Sequence, residues 1–231
     1  MDYRDRHVVV TGGTGALGTA VVAGLLGAGA FCHVPYIDAQ EATRFPFRGH
    51  DRVTLREIAT LADEAAVAKL YAGVPELWAS IHIAGGFAMA PVADTGKAAL
   101  LAQLEMNLVS CFLCCRAALG AMKRGGGRIV NVAARPALEP RSGAGMVAYT
   151  ASKAGVAALT EALAQEVAGD GILVNAVAPS IMDTPANRRA MPGADHEAWP
   201  KVEEVAASIL FLASPANRVT RGAIVPVYGR S

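Results

Sequence analysis

Short apolar stretches alternate with longer helical stretches along most of the chain. Many of the short stretches are rich in Val and Ile, as in His7-Val8-Val9-Val10. Continuous apolar runs of this kind are typical of parallel strands that are covered on both faces. The pattern predicts strands at residues 7–10, 30–34, 53–57, 77–83, 128–132, 172–177 and 223–227.

The longer stretches between these strands predict helices, because they are rich in residues of high helix propensity such as Ala, Leu and Glu. Strands that alternate with helices imply a parallel sheet covered on both faces. The sequence therefore predicts an α/β fold, a single-domain Rossmann-type doubly wound sheet of about seven strands over residues 1–231. Helices are expected after the glycine-rich residues 11–18 and at 63–71, 100–122, 146–168 and 203–213.

The hydrophobic fraction and the net charge of the chain limit which kinds of partner it is expected to bind. The 231 residues are 53 % hydrophobic, which is enough for one sizeable core, and the net charge of +1 gives no field that would attract nucleic acid or an anionic membrane. Charges or glycines interrupt each long apolar run, as Arg116 does after Leu108, and residues 1–6 lack the apolar core of a signal peptide. We therefore expect a cytoplasmic protein that acts on a small molecule and binds neither nucleic acid nor a membrane.

The four cysteines are not a disulfide framework, because three of them crowd one predicted helix. They are Cys32, Cys111, Cys114 and Cys115. Cys111 and Cys114 form a C-x-x-C pair, a spacing that also occurs in redox and metal sites. Since no second Cys or His pair stands at zinc spacing, we interpret the thiols as small apolar residues at a helix interface and expect no metal site.

A glycine-rich segment follows the first strand and opens the first helix. Glycines let the backbone approach a pyrophosphate, and a helix N-terminus offers free N–H groups and the positive end of its dipole. Strand, glycine turn and helix in this order predict a dinucleotide site. The expected cofactor-binding residues of this segment are Gly12, Thr14, Gly15, Ala16, Leu17 and Gly18.

The end of the second strand bears on which dinucleotide is preferred. Folds of this class place an acid there for the ribose 2′-hydroxyl of NAD, or a basic residue for the 2′-phosphate of NADP. The expected acid position holds Tyr36, Asp38 lies two residues further on, and Arg44 and Arg48 follow in a predicted polar loop. Asp38, together with a glycine loop that carries no basic residue, favours NAD(H) over NADP(H).

Tyr149 and Lys153 are four residues apart in a predicted helix, so their side chains lie on one face. A nearby ammonium favours the phenolate and lowers the tyrosine pKa, which makes the phenol a usable proton donor and acceptor. Ligands of a doubly wound sheet bind at the carboxyl ends of its strands. Residues that follow predicted strands at that edge include Gly85, Ala134 and Pro179.

With these residues in place, the chain resembles the short-chain dehydrogenase/reductase family along its whole length. The resemblance is carried by the 11–18 loop, by Tyr149-x-x-x-Lys153, and by Asn175-Ala176-Val177-Ala178-Pro179 running on to Thr184. It implies that Tyr149 is the general acid/base, that Lys153 binds the nicotinamide ribose and lowers the Tyr149 pKa, and that Asn107 holds a water. It also implies that Ala84, Gly85, Pro179, the Ile181 backbone and Thr184 contact the cofactor, and that His82 packs near it.

One position departs from the family pattern. The serine that normally follows the fifth strand and binds the substrate oxygen is replaced by Ala134. Losing such a donor typically lowers the rate by about 10²–10³. Ser142 is either a substitute or an ordinary solvated residue. Dihydropteridine reductases also lack this serine, and they resemble the chain at residues 84–86 and 183–199; an electron-poor quinonoid pterin needs less help from an oxyanion donor.

Three functions remain open at this point. The first is an NAD(P)H-dependent oxidoreductase that acts on a small carbonyl or quinonoid (pterin-like) substrate. The second is an ordinary carbonyl reductase or alcohol dehydrogenase, and the third a non-catalytic NAD(P)-sensing protein.

The family resemblance also implies an assembly and a covering segment. It predicts a homodimer or homotetramer formed through helices 100–122 and 146–168, and a substrate-covering segment at 183–200. In that segment Arg188, Arg189, His196 and Trp199 are either substrate contacts, or surface charges and an anchoring Trp.

Overall fold

The structure, a computed structural model, describes residues 1–122 and 126–231. Its strands are β1 His7–Thr11, β2 Phe31–Tyr36, β3 Val53–Glu57, β4 Leu77–His82, β5 Gly127–Val132, β6 Ile172–Pro179 and β7 Ile224–Val227. They form one sheet in the order β3-β2-β1-β4-β5-β6-β7, and every neighbouring pair is parallel. The predicted Rossmann-type fold is confirmed.

Helices cover both faces of this sheet. They are α1 Ala16–Gly27, α2 Ala39–Arg44, α3 Glu64–Ala72, α4 Lys97–Leu104, α5 Ser110–Ala121, α6 Arg135–Leu138, α7 Val147–Glu166, α8 Pro185–Ala190 and α9 Val202–Ala213. Successive side chains of a strand point to opposite faces. Val8 and Val10 accordingly pack in the layer under α1 and α9, whereas Val9 packs in the layer under α3, α5 and α7.

The strand order changes direction between β1 and β4. The chain runs outward from β1 through β2 to β3, and then returns to the other side of β1 at β4. In a doubly wound sheet the crevice at the carboxyl ends of two such strands is the ligand site. The glycine loop after β1 and the Ala84-Gly85 turn after β4 therefore lie at this crevice.

The end of β2 differs from its prediction. β2 continues to Tyr36, because residues 34–36 stay paired with residues 55–57 of β3 after the register with β1 stops at His33. The predicted polar loop around Arg44 was also wrong in part, since a short helix, α2, covers Ala39–Arg44. Proline has no N–H to donate, so the end of β2 depends on its pairing with β3. The apolar pattern reveals neither this pairing nor the short helix α2.

The predicted helix 100–122 is a longer helix with an irregular centre. It runs from Lys97 to Ala121, and a π-helical segment, Glu105–Val109, separates α4 from α5. Within the described residues this is the one helix that is long and apolar enough, by length and composition, to cross a membrane; its window has a mean hydropathy of 1.6. Arg116 does not divide the apolar run as expected, because it lies close to the C-terminal end of the helix. A helix that packs on a sheet, as α5 does on β4, has the same apolar character.

Candidate active site

The glycine loop and the turn after β4 touch each other. Gly12 has a φ of +67°, in the left-handed region, and a Cβ built on it would lie 2.7 Å from the backbone N of Ala84. That N donates a hydrogen bond to Oγ1 of Thr11 (3.3 Å). A Cβ on Gly18 would overlap the Gly12 carbonyl. Side chains at Gly12 and Gly18 are therefore excluded by the protein's own backbone.

The N-terminus of α1 is open to the crevice. Its N-cap residue, Gly15, has extended backbone, and no side chain caps the first-turn N–H groups. Uncapped N–H groups at a helix start are donors for an anion. A Cβ on Gly15 would meet only the Gly12 carbonyl O, at an ordinary 3.5 Å. Thr14 Oγ1 donates to Glu41 Oε2 (2.9 Å), which ties the loop to α2.

Tyr149 and Lys153 lie in the first two turns of α7. Lys153 is buried, and its Nζ donates a hydrogen bond to the carbonyl O of Val132 (2.8 Å) at the end of β5. Burial lowers the pKa of Lys153 to about 8 and raises the pKa of Tyr149 to about 12. The expected lowering of the Tyr149 pKa by Lys153 is wrong here, because desolvation of the phenol dominates.

Asn107 fixes the turn after β4 to α7. From the π-helical segment its Oδ1 accepts a hydrogen bond from Gly86 N, and its Nδ2 donates to Gly86 O (both 3.0 Å). Nδ2 also donates to Ser152 Oγ (3.1 Å). A Cβ built on Gly85 would lie 2.5 Å from Asn107 Oδ1 and 3.4 Å from Lys153 Nζ. The structure thus brings Asn107, Lys153 and Gly85 together.

Phe87 is a residue of this crevice that the sequence patterns did not indicate. Its side chain is 60 % exposed, and its ring meets the Tyr149 ring edge-to-face with centroids 5.0 Å apart. Met89, two residues on, is also exposed, and its Cε lies near Gly145. The only available signal was that two large apolar residues stand outside any predicted element. Phe87 gives the phenol an apolar neighbour.

Ala134 is buried and lies two residues after the end of β5 at Val132. Ser142 lies in an exposed 3₁₀ turn, Pro140–Gly143, and its Oγ donates to the carbonyl O of Glu139 (2.8 Å). A hydroxyl has one proton to donate. In this structure the hydroxyl proton of Ser142 is therefore used within its own turn.

Comparison with known proteins decides the family. Residues 6–194 match the family model described as short chain dehydrogenase. The chain belongs to this family. Galactitol 2-dehydrogenase of Rhizobium johnstonii is 36 % identical to this dehydrogenase over 240 residues, which cover 96 % of the chain and 93 % of the relative.

Two solved structures extend the match to the whole fold of this dehydrogenase. A short chain dehydrogenase/reductase family protein has a TM-score of 0.90 at 27 % identity, with 99 % of this chain and 98 % of the other covered. A blue fluorescent protein from a metagenomic library, in complex with NADPH, has a TM-score of 0.86 at 25 % identity, with 99 % and 98 % covered. The dehydrogenase is accordingly an NAD(P)-dependent oxidoreductase.

The remaining predicted cofactor contacts of the dehydrogenase lie at the same edge of the sheet. Pro179 is the last residue of β6, and Ile181 is exposed just after it. Thr184 caps α8, its Oγ1 accepting from Asn187 N (3.1 Å), which leaves the hydroxyl proton for a ligand. Asp38 caps α2 by accepting from Gln40 N (2.7 Å), a structural role that the sequence had not suggested.

Residues 183–200 are more ordered than the predicted polar segment. They include α8 and a 3₁₀ turn, His196–Ala198. Arg188 donates two hydrogen bonds to Asp183 (2.6 and 2.8 Å), which lower the pKa of that carboxyl, so this guanidinium is already engaged. Trp199 is buried and packs on His196, with ring centroids 4.7 Å apart. Of the two interpretations of Trp199, the anchoring one fits the structure.

Proposed function

We propose that this short-chain dehydrogenase transfers a hydride between the nicotinamide of NAD(P) and a small carbonyl or quinonoid (pterin-like) substrate, with Tyr149 as the acid/base. The supporting observation is that two side chains converge on the turn after β4, beside the glycine loop. They are Lys153, on the helix that carries Tyr149, and Asn107, in the π-helical segment. The crevice there is where doubly wound sheets take dinucleotides.

The residues present fit a dinucleotide. Gly12, Gly15 and Gly18 have no side chains, so the backbone of the glycine loop can approach a dinucleotide closely. The first-turn N–H groups of α1 are placed to hold the pyrophosphate of the dinucleotide. Lys153 uses one ammonium proton on Val132, and the other two are left for the nicotinamide ribose. In this proposal Thr184 and the Ile181 backbone hold the carboxamide. The cofactor itself supplies or accepts the hydride.

The proposed proton donor is the Tyr149 hydroxyl. Because burial raises its pKa to about 12, the phenol is protonated at neutral pH. It is therefore ready to give a proton to a substrate oxygen or nitrogen during reduction, and oxidation of an alcohol gains as the pH rises. Asn107 and Ser152 position this group, since Ser152 Oγ donates to the Tyr149 carbonyl O (2.7 Å).

The substrate class follows from what surrounds Tyr149. Phe87 and Met89 offer an apolar surface, and Ala134 offers no hydroxyl for a substrate oxyanion. A conjugated, electron-poor acceptor needs that hydroxyl least, which supports a quinonoid substrate and the resemblance to dihydropteridine reductases. The proton of Ser142 is used on Glu139, and this weighs against an ordinary ketone reductase that relies on Ser142.

Tyr149→Phe tests the proposal. Turnover of a ketone should fall by about 10²–10⁴, the usual contribution of a general acid, while NADH affinity, measured by fluorescence, stays within experimental error. A quinonoid substrate should keep an appreciable rate, because solvent supplies its proton late. Unchanged kcat/KM for both substrates would mean that Tyr149 is not catalytic, and would favour the NAD(P)-sensing alternative.

We propose a preference for NAD(H). The Asp38 carboxylate lies at the start of α2, and Glu41 of the same helix accepts the hydrogen bond from Thr14 in the glycine loop. Two carboxylates beside this loop repel a 2′-phosphate. The Nε of Arg44 donates to the Gln40 carbonyl O within α2 (3.3 Å). The dissociation constants of NADH and NADPH decide the matter, and tighter NADPH binding would refute it.

We also propose a homodimer or homotetramer and assign residues 183–200 the role of the substrate-covering segment. The support for an assembly is a set of large apolar side chains that α4, the π-helical segment, α5 and α7 leave exposed. These are Leu100, Leu101, Met106, Phe112 and Val147. The support for the covering role is that α8 follows Thr184, which is the last of the proposed carboxamide contacts.

A further inference from the structure

Two thiols and an imidazole meet in the core beneath the active site. The sulfur atoms of Cys111 and Cys115 and a ring nitrogen of His82 all lie within 4.8 Å of one another, and all three residues are buried. Cys111 and Cys115 are four residues apart on α5, so one face of the helix presents both. That face packs on β4, which carries His82. This convergence was invisible to spacing rules, because the ligands lie on a helix and a strand that are distant in sequence.

A fourth donor lies on the neighbouring strand. Asn131 of β5 is the register partner of His82, and its Oδ1 is 2.8 Å from His82 Nδ1. Cys115 Sγ lies 3.6 Å from that Nδ1 and 3.6 Å from that Oδ1. Tetrahedral zinc, with Zn–S of about 2.3 Å and Zn–N of about 2.0–2.1 Å, places its sulfur and nitrogen ligands about 3.5 Å apart. The Cys115–His82 edge already has this length.

The surroundings of His82 suit a ligand histidine. Such a residue normally donates its second ring N–H to an outer partner, which fixes the tautomer. His82 Nε2 has two hydroxyl partners, Ser80 Oγ at 2.7 Å and Tyr71 OH at 3.2 Å, and both can accept. Asn131 Nδ2 donates to Thr160 Oγ1 (2.9 Å), which leaves Oδ1 directed at the cluster.

Charge also balances at the cluster. A divalent cation with two thiolates and a neutral imidazole carries no net charge, so it avoids the cost of an isolated ion in the core.

We propose that His82, Cys111 and Cys115 form a closed site for a thiophilic divalent cation such as Zn²⁺, with Asn131 Oδ1 as the fourth donor. Four protein donors would fill the tetrahedral coordination of such an ion, as in structural zinc sites, and would leave no open position for substrate. The ion would join α5 to β4 and β5 directly below the turn that holds Gly85. The sequence had instead predicted small apolar thiols at a helix interface and no metal site.

Zinc content tests the site directly. The purified full-length chain is incubated with Zn²⁺, dialysed, and analysed for metal and thermal stability. We expect one tightly held zinc per chain and a raised Tm in the wild type, and neither in the Cys111→Ala/Cys115→Ala variant. Cys32→Ala is the matched control, because Cys32 is equally buried but lies in the other core layer. Ser80→Ala should weaken zinc affinity by about 10–100-fold through loss of the outer partner.

Binding of Co²⁺ to the wild-type protein tests the site without requiring that any variant folds. Co²⁺ bound to the wild type should show thiolate-to-metal charge-transfer absorption that Zn²⁺ displaces. Wild-type protein that lacks this absorption would overturn the proposal. So would zinc retention by the double cysteine variant equal to that of the wild type, or loss of zinc in Cys32→Ala as great as in the double variant.

Discussion

At the scale of single residues, Gly12 and Gly15 lie three positions apart in the glycine loop but have different surroundings. Gly12 combines a positive φ with contact to the Ala84 backbone, whereas Gly15 has φ −76° and ordinary space around a Cβ. A substitution at Gly12 therefore strains the fold and the ligand site together. A substitution at Gly15 acts mainly on whatever approaches the start of α1.

We predict that Gly15→Val abolishes cofactor binding in a folded protein, because its branched side chain screens the first-turn N–H groups of α1. Gly12→Val should instead lower the yield of folded protein or its Tm. Calorimetric titration with NADH and a thermal melt of both variants make the comparison. A Gly15→Val protein that melts like the wild type and binds NADH with wild-type affinity would contradict the proposed pyrophosphate site.

A second residue-scale prediction concerns the missing serine. Ala134→Ser restores a hydroxyl after β5, so kcat/KM for a ketone should rise toward the factor of about 10²–10³ that such a donor contributes. A quinonoid substrate should gain little. The control is Ala133→Ser, which makes the same chemical change at the adjacent position, where the side chain packs in the core. Equal acceleration of both substrates by Ala134→Ser would show that our explanation of the absent serine is wrong.

Residues with a local signature were predictable, and those defined by tertiary contact were not. The i, i+4 spacing of Tyr149 and Lys153 is enough by itself to place them on one helix face. The pKa of Tyr149 was misjudged because desolvation depends on packing from Phe87 and other elements distant from α7. Phe87 itself belongs to no regular element, so no periodicity could single it out.

At the scale of elements, strands were easier to predict than the irregularities between them. The prediction for β3 matches Val53–Glu57, while β6 extends to Pro179 because Pro179 pairs with Val227. The π-helical segment was missed because its sequence, Glu105–Val109, has ordinary helix formers. This irregular segment carries Asn107, whose side chain hydrogen-bonds the Gly86 backbone. Hydrophobic periodicity does not encode such polar contacts.

The element-scale prediction is that α5 takes part in self-association. Phe112 of α5 is 49 % exposed. The continuous helix from Lys97 to Ala121, of which α5 is the last part, also exposes Leu101 and Met106. Phe112→Glu places a charge on this face, so the oligomer should dissociate at micromolar concentration while the monomer keeps its fold. Light scattering of the wild type and the variant measures this. Val219→Glu is the control, since Val219 is an exposed apolar residue outside these helices. A wild type that is already monomeric would refute the assembly.

At the scale of the whole molecule, the opposite end of the sheet holds a pair of histidines far along the strands from the candidate site. His7 Nδ1 and His33 Nε2, on β1 and β2, are 3.0 Å apart, and His33 is buried. Burial, aided by His7 and Arg56, lowers the pKa of His33 to about 4, and burial also lowers the pKa of His7. The His33 ring is therefore neutral in the folded protein at neutral pH, and protonation of both rings would place two cations side by side.

This pair predicts how global stability responds to acid. The folded pKa of His33 lies below its ordinary value of 6.5, so between pH 6.5 and about 4 the unfolded chain binds a proton that the folded protein does not. The contribution is full above pH 6.5 and is lost as the pH falls towards about 4, by at most about 1.4 kcal/mol per pH unit, which is the limit for a single proton. Carboxylates add their own acid dependence, so the informative quantity is a difference between proteins. Urea unfolding at several pH values should give a shallower loss of stability in His33→Phe than in the wild type. Equal slopes in the wild type and His33→Phe would mean that the buried pair does not set the acid limit of this fold.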